Sequence, residues 1–432
     1  MDLKSSASGF LANFDHPIQD YANTLPYMLG GLVLVCLIIL LISGMYLAPF
    51  YVPTTQQAYS STLNIIHNLP FGEFARGVHL WAANLIILFL ALHVSRVIIT
   101  GSYKKPRRML YIIGVLMLFV ILFLTYLGTT LPLDQVGVDA AIRSQQTAGL
   151  FGISVPISQM VGPDFVMHIS IMIVVLLLLL AMHMYLIEKI GISPKAEKNT
   201  ISKKTAGEGN SNFLTHLKLL AGSGLLLAAF IGGLALMFPA PLGHPGVYDP
   251  SIMITKPVEA ILYVNDKMLD AFGPASLLLG PLALFILLIS LPIIDTGKEV
   301  YWKKRIPAIL IGIFVLLWGL YFMYLDVVAP TQYSGVCASP PVNGTCISAQ
   351  NNSPENVSAL VSAYNSTQNP PLYFVSNGTL ATPADVYGGY VNLSSPLQEE
   401  TPIIIAIISL FAVIGIIILK SDWIISKFAR KR

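Results

Sequence analysis

The chain has 432 residues, of which 55% are hydrophobic and 11% charged, and its mean hydropathy is +0.71. That composition excludes a soluble globular enzyme, a disordered chain and a nucleic-acid binder, and it is that of a polytopic membrane protein. With a net charge of only +3, the placement of charge tells more than its sum.

A bilayer core of about 30 Å needs about 20 apolar residues in a helix. Eight stretches qualify, roughly 28–48, 74–100, 109–130, 163–188, 213–238, 275–294, 306–328 and 402–420. The expected fold is therefore all-α, with eight transmembrane helices. Residues 1–190 form a first four-helix unit, and the polar stretch 191–212 reads as a linker. Residues 213–330 carry three further helices, 331–400 form a long loop, and 401–432 the last helix with a basic tail. Met1–Asn23 is polar and has no apolar run of the signal-peptide kind. Thr55–Leu69 and Leu133–Gly149 are connections of amphipathic character, and Pro239–Gly273 is a long connection rich in Pro and Gly.

Basic residues follow every second span: Lys104, Lys105, Arg107 and Arg108; Lys189, Lys195, Lys198, Lys203 and Lys204; Lys298, Lys303, Lys304 and Arg305; Lys420, Lys427, Arg430, Lys431 and Arg432. Cytoplasmic loops are the basic ones, so these segments and both termini are assigned to the inside. The loop Thr331–Glu400 has no Lys or Arg. It carries N-x-S/T sequons at Asn343, Asn351, Asn356, Asn365, Asn377 and Asn392, which reads as a glycosylated external face. Cys337 and Cys346, nine residues apart in this loop, are candidates for a disulfide in an oxidising exterior. Cys36 lies in the first span and reads as a small buried apolar residue. Surface glycans without an organellar address suggest a prokaryotic plasma membrane, and an archaeal cell in particular.

Four histidines stand out. His79 and His93 are 14 residues apart in the second span, and His168 and His183 are 15 apart in the fourth. These intervals are about 3.9 and 4.2 helical turns, so each pair lies near one face with its members about 21–22 Å apart along the axis. Both spans run from outside to inside, which sets His79 at the depth of His168 and His93 at that of His183. Two bis-imidazole sites at two depths point to two non-covalent haems, because imidazole is a common axial ligand to haem iron. No C-x-x-C-H is present for covalent attachment. Arg76 stands three residues before His79 and Arg96 three after His93, where each can meet a haem propionate. Gly30 and Gly44 in the first span, and Gly114 and Gly128 in the third, repeat the 14-residue interval, so that a flat macrocycle can lie against backbone.

The segments LGGLVLVCLIILLISG, RGVHLWAAN, ALHVSR, ITGSY, YLGTTLPLDQ, MHIS…AMHMY and PAPLGHPG resemble cytochrome b, the membrane core of quinol-oxidising cytochrome bc complexes. The resemblance runs from about residue 25 to 328, and the 15-residue interval is like that of the chloroplast-type branch. It implies that a quinol near the outer face gives one electron to a Rieske iron–sulfur protein and one to an outer haem on His79 and His168. The electron passes to an inner haem on His93 and His183, which reduces a quinone near the cytoplasmic face, and protons are moved outward. It also implies a homodimer and a downstream cytochrome or copper-protein acceptor.

The chain departs from the family at the quinol site. The family motif Pro-Glu-Trp-Tyr corresponds to Lys256-Pro257-Val258-Glu259-Ala260, so Glu259, beside Pro257, is the candidate proton acceptor, shifted by one position. Asp134 stands where the family usually has glycine, Thr129 where it often has tyrosine, and Met28 at the position of the cysteine that holds an extra haem in the chloroplast branch. His216, with Lys218, lies near the family's inner quinone-binding histidine, and Leu219 replaces the usual Asp nearby. Two other readings stay open on the sequence: a dihaem anchor shuttling electrons between quinone and a peripheral dehydrogenase, and a haem-free transporter.

Overall fold

The computed structural model describes residues 17–193, 211–242, 276–295 and 305–315, short strands β2 at 196–197, β3 at 200–201, β5 at 335–338, β6 at 346–348 and β7 at 372–373, and the single positions 317, 409, 412 and 413. Helix α1 is Leu25–Leu47, α2 Ala58–Asn68, α3 Gly72–Ile99, α4 Arg108–Thr130 and α5 Gln135–Gly149. Helix α6 spans Val161–Ile190, α7 is Phe213–Met237, α8 Ser276–Ile294 and α9 Ile306–Val315. Among the described residues α1, α3, α4, α6 and α7 are long and apolar enough to cross a membrane. The expected span 402–420 and most of 306–328 lie outside the described residues.

Each boundary has a local cause. Pro26 occupies the first turn of α1, where no backbone N–H is needed. In α2 the buried positions Ala58, Ser61, Thr62, Ile65 and Ile66 recur three and four residues apart, so this connection is an amphipathic helix lying on the bundle. The turn into α3 requires Gly72, since a Cβ there would fall 1.9 Å from the Ile65 carbonyl oxygen. Phe71, just before it, holds a left-handed φ of 55°. Asp134 caps α5, accepting from the Gly137 N–H at 3.0 Å, and Asn212 caps α7, accepting from the Thr215 N–H at 2.8 Å.

Helix α1 packs along α3, α4 along α6, and α7 crosses both α3 and α1. One core joins them, with Cys36, Ile86, Ile98, Tyr103, Leu176, Ile231 and Leu288 among its buried members. Inside a bilayer such a core gains from close packing, because lipid tails are as apolar as the side chains they replace. The N-terminal segment is tied to the start of α7 by the strand pair β1 (Pro17–Ile18) and β4 (Ser211–Asn212).

A polar lock closes the end of the bundle near Ile99. Asp295 accepts from Lys104 Nζ at 2.6 Å, from Tyr103 Oη at 2.5 Å and from Arg305 Nε at 3.0 Å. The Arg305 guanidinium also donates to the carbonyls of Ile98 and Ile99 at 2.8 and 3.1 Å. It reaches them past Gly101, whose φ of +69° and missing Cβ leave room for the guanidinium. Burial alone would push the Asp295 carboxyl up, but the hydrogen bonds from Lys104, Tyr103 and Arg305 outweigh it and hold the group below the usual carboxylate range.

Candidate cofactor site between the histidine-bearing helices

Helices α3 and α6 carry the four histidines and are not closely packed on each other. The His79 and His168 rings face across the gap with centroids 6.3 Å apart. Two metal–imidazole bonds of about 2 Å, plus a ring radius of about 1 Å on each side, require about that separation. The tautomers suit a metal as well. His168 Nδ1 lies 2.9 Å from the Leu124 carbonyl oxygen, which can only accept, so Nδ1 carries the proton. Ser43 Oγ donates to the Ile39 carbonyl at 2.7 Å and so accepts from His79 Nδ1 at 2.9 Å. Both Nε2 atoms are left with a free lone pair, the arrangement that oriented metal-binding imidazoles use.

Each glycine of the two 14-residue pairs meets one of the histidines. A Cβ would stand 3.1 Å from His93 Cε1 at Gly30, 3.3 Å from His79 Cε1 at Gly44, 3.4 Å from His183 Cε1 at Gly114 and 3.0 Å from His168 Cε1 at Gly128. The glycines therefore clear space first for the imidazoles themselves. His93 and His183 are near enough to interact electrostatically, and the Nδ1 of His93 is buried without a hydrogen-bond partner among the described residues.

The unequal intervals are reconciled by a feature absent from the sequence reading. Residues Met167–Ile171 form a π-helical turn inside α6. A π turn holds about one more residue than an α turn. The extra residue of the 15-residue interval is absorbed there, and His168 stays on the face that also presents His183.

A cavity of about 500 Å³ surrounds the His79–His168 level, lined by Gly44, Gly128, Arg76, Thr129, Asp134 and Phe165 among others. Arg76 lies on its wall, donating to the carbonyls of Ala240 and Pro241 at 2.7 and 2.6 Å. Arg96 sits over the Tyr27 ring at 3.9 Å, and its Nε and one Nη are buried without a hydrogen-bond partner among the described residues. That leaves donors for an anion at the His93 level. His216 Nδ1 donates to Asn23 Oδ1 at 3.1 Å, Asn23 donates onward to Ser211 Oγ at 2.7 Å, and Phe213 stacks near the ring. Nothing in the residue pattern marked Asn23 or Ser43 in advance, since each acts through a fold contact.

Glu259, Pro257 and the six sequons lie outside the described residues. Cys337 and Cys346 are directly opposite in the antiparallel pair β5 (Gly335–Ala338) and β6 (Cys346–Ser348). Cross-strand neighbours have Cα atoms about 4.5–5.5 Å apart, within the disulfide range.

The cytochrome b/b6/petB family profile matches residues 17–191. Cytochrome b6 of Heliobacterium mobile is 34% identical over 192 residues, covering 41% of this chain and 90% of that protein. The menaquinol:cytochrome c reductase cytochrome b subunit of Bacillus subtilis is 33% identical over 198 residues, covering 41% of this chain and 88% of that protein. A solved structure titled "Hyperthermophilic respiratory Complex III" aligns with TM-score 0.57 and 22% identity over 75% of this chain and 93% of that one, a likeness of fold.

Proposed function

The chain belongs to the cytochrome b family, and from that premise we propose that it is the dihaem electron-transfer core of a quinol-oxidising complex with a Rieske protein. Family membership makes it a membrane-embedded b-type haem protein of respiratory electron transfer and leaves the haem-free transporter without support. The carrying observation is the facing His79–His168 pair, with both Nδ1 atoms bonded and the rings 6.3 Å apart. The matched geometry of Gly30 with His93 and Gly114 with His183 supports a second haem.

A bound b-type haem supplies a reversible one-electron carrier. The protein's part is to hold and insulate it. Ser43 and the Leu124 carbonyl orient the imidazoles, the glycines let the rings sit against α1 and α4, and Arg76 and Arg96 offer cationic donors to haem carboxylates. The cavity beside His79 extends to Thr129, Asp134 and Phe165 and suits a quinol headgroup, with Glu259 beyond Pro257 as proton acceptor. His216, oriented by Asn23, serves quinone at the opposite face. The basic loops support a cytoplasmic His93 end and an outer His79 end, and in this reading protons leave on the side of the sequon-bearing loop. That loop is proposed to carry N-glycans and a Cys337–Cys346 disulfide. Eight spans, a homodimer and a downstream cytochrome or copper-protein acceptor complete the assignment.

The test is a reduced-minus-oxidised optical spectrum of the purified chain with extracted haem counted per polypeptide, and a search for a co-purifying Rieske protein. Two haems with a Rieske partner are expected. Two haems with a peripheral dehydrogenase instead would favour the anchor reading, and a folded preparation without haem would overturn both.

A further inference from the structure

Glu73 has no part in the chemistry above, yet it is the least expected side chain in the bundle. It lies in the first turn of α3 and is 2% exposed. Both carboxyl oxygens are buried without a hydrogen-bond partner among the described residues. Buried carboxylates are normally paired or fully hydrogen-bonded. The Arg76 guanidinium, one turn along the helix, acts on it electrostatically. Glu73 is also one turn from Gly77, where an added Cβ would stand 3.0 Å from the Ala235 Cβ on α7, so it lies on the face turned to α7. That is the side on which Arg76 holds the Ala240 and Pro241 carbonyls at the cavity wall.

Among the described residues, the elements packed around this end of α3 bring few other titratable groups. Helix α2 has His67 near its end, α1 brings Tyr46, whose hydroxyl donates to the Pro70 carbonyl, and α4 brings Tyr126. The basic groups of α7, His216 and Lys218, are at its far end. A buried carboxyl this close to a redox site feels the charge held there, because little solvent screens it. His79 is six residues on, about 9 Å along the axis. At an effective dielectric near 20, one added electron at that range changes a carboxyl's proton affinity roughly twentyfold.

We propose that Glu73 is a proton-binding site coupled to the electron held between His79 and His168. This rests on the haem assignment above. Quinol oxidation releases two electrons and two protons. When one electron enters at the His79 level, one of those protons binds a carboxylate oxygen of Glu73; the second electron passes to the Rieske protein of the proposed complex, and the second proton is released to water at the outer face. When the electron moves on to the His93 level, Glu73 releases its proton to the outer face.

The test uses the purified complex. Haem content is read first from the optical spectrum, so that absence of haem, which would overturn the assignment itself, is separated from failure of the coupling. The potential of each haem is then titrated against pH. In the wild type the potential at the His79 level is expected to fall by up to 59 mV for each tenfold drop in proton concentration over part of the range. Glu73→Gln is expected to flatten that slope without changing the slope at the His93 level. A reduced-minus-oxidised infrared spectrum is expected to show a deuterium-sensitive carboxylic C=O band that the variant loses. Equal slopes in both proteins with both haems bound would overturn the proposal. If Glu73→Gln fails to assemble, the wild type alone decides: a pH-independent potential at the His79 level and no carboxyl band would overturn it, and Glu73→Asp is expected to keep a displaced slope.

Discussion

Adding one methyl group at Gly128 tests the site most directly. The Cβ of Gly128→Ala stands 3.0 Å from His168 Cε1 and 3.6 Å from both ring nitrogens. Ordinary carbon contacts are about 3.5–4.0 Å, so the ring must retreat by about half an ångström. It cannot do so freely, because its Nδ1 is bonded at 2.9 Å to the carbonyl of Leu124, one turn before Gly128 on α4. Retreat stretches that bond to near its useful limit. Overpacking costs about 1–3 kcal/mol and the weakened hydrogen bond about 1 kcal/mol. At 1.4 kcal/mol per tenfold change, haem at this level is held roughly thirtyfold or more weakly. Gly44→Ala, with its Cβ 3.3 Å from His79, should do the same more mildly. Gly233→Ala, where nothing lies within 4 Å among the described residues, should retain full haem. Haem per chain and the reduced-minus-oxidised spectrum are the readouts. Full occupancy and an unshifted spectrum in Gly128→Ala would refute the assignment of this glycine.

His93→Ala should remove one haem and leave quinol able to reduce the other, and loss of both optical signals in a folded protein would contradict the pairing. Asp295→Asn should lower stability by about 3 kcal/mol, because it removes the carboxylate charge that buried Lys104 and Arg305 share; thermal unfolding in detergent measures it. Since the folded carboxyl is held below its ordinary range, its contribution is present above the ordinary carboxylate pKa and is lost as pH falls through the lower folded value. Wild type and Asp295→Asn should therefore converge in acid, whereas a constant gap would sink the argument. Glu259→Gln should slow quinol oxidation far more than it alters haem content, and unchanged turnover removes Glu259 from the mechanism. Enzymatic deglycosylation of the native protein should increase its gel mobility, and an unchanged band discounts the sequons.

Five of the expected spans, among the described residues, and the facing of His79 and His168 were legible because hydrophobic length and the histidine spacings are local, periodic signals. The His79–His168 match in depth followed from counting residues from the span ends, and the glycine pattern followed from the same count. What could not be read is what depends on three-dimensional contact. Ser43 looks like any small polar residue in a span until α1 packs on α3. Asn23 precedes the first helix and reaches His216 only because the N-terminal segment pairs with 211–212. Spacing alone points Arg76 to a propionate, whereas its bonds to Ala240 and Pro241 depend on where α7 ends. Glu73 reads as an ordinary first-turn acid, and only burial against α7 marks it out.

The wide turn at Met167–Ile171 bears on how such a site can change over generations. In a rigid rod, one inserted residue rotates everything beyond it by about 100° and would swing one ligand of the pair out of the gap. Here the insertion is confined to a single turn, beside the very residue it would otherwise displace. A gain or loss of one codon is thus a tolerable event at this point in the chain, and the interval between the two ligands is free to drift by one while the distance across the bundle stays fixed.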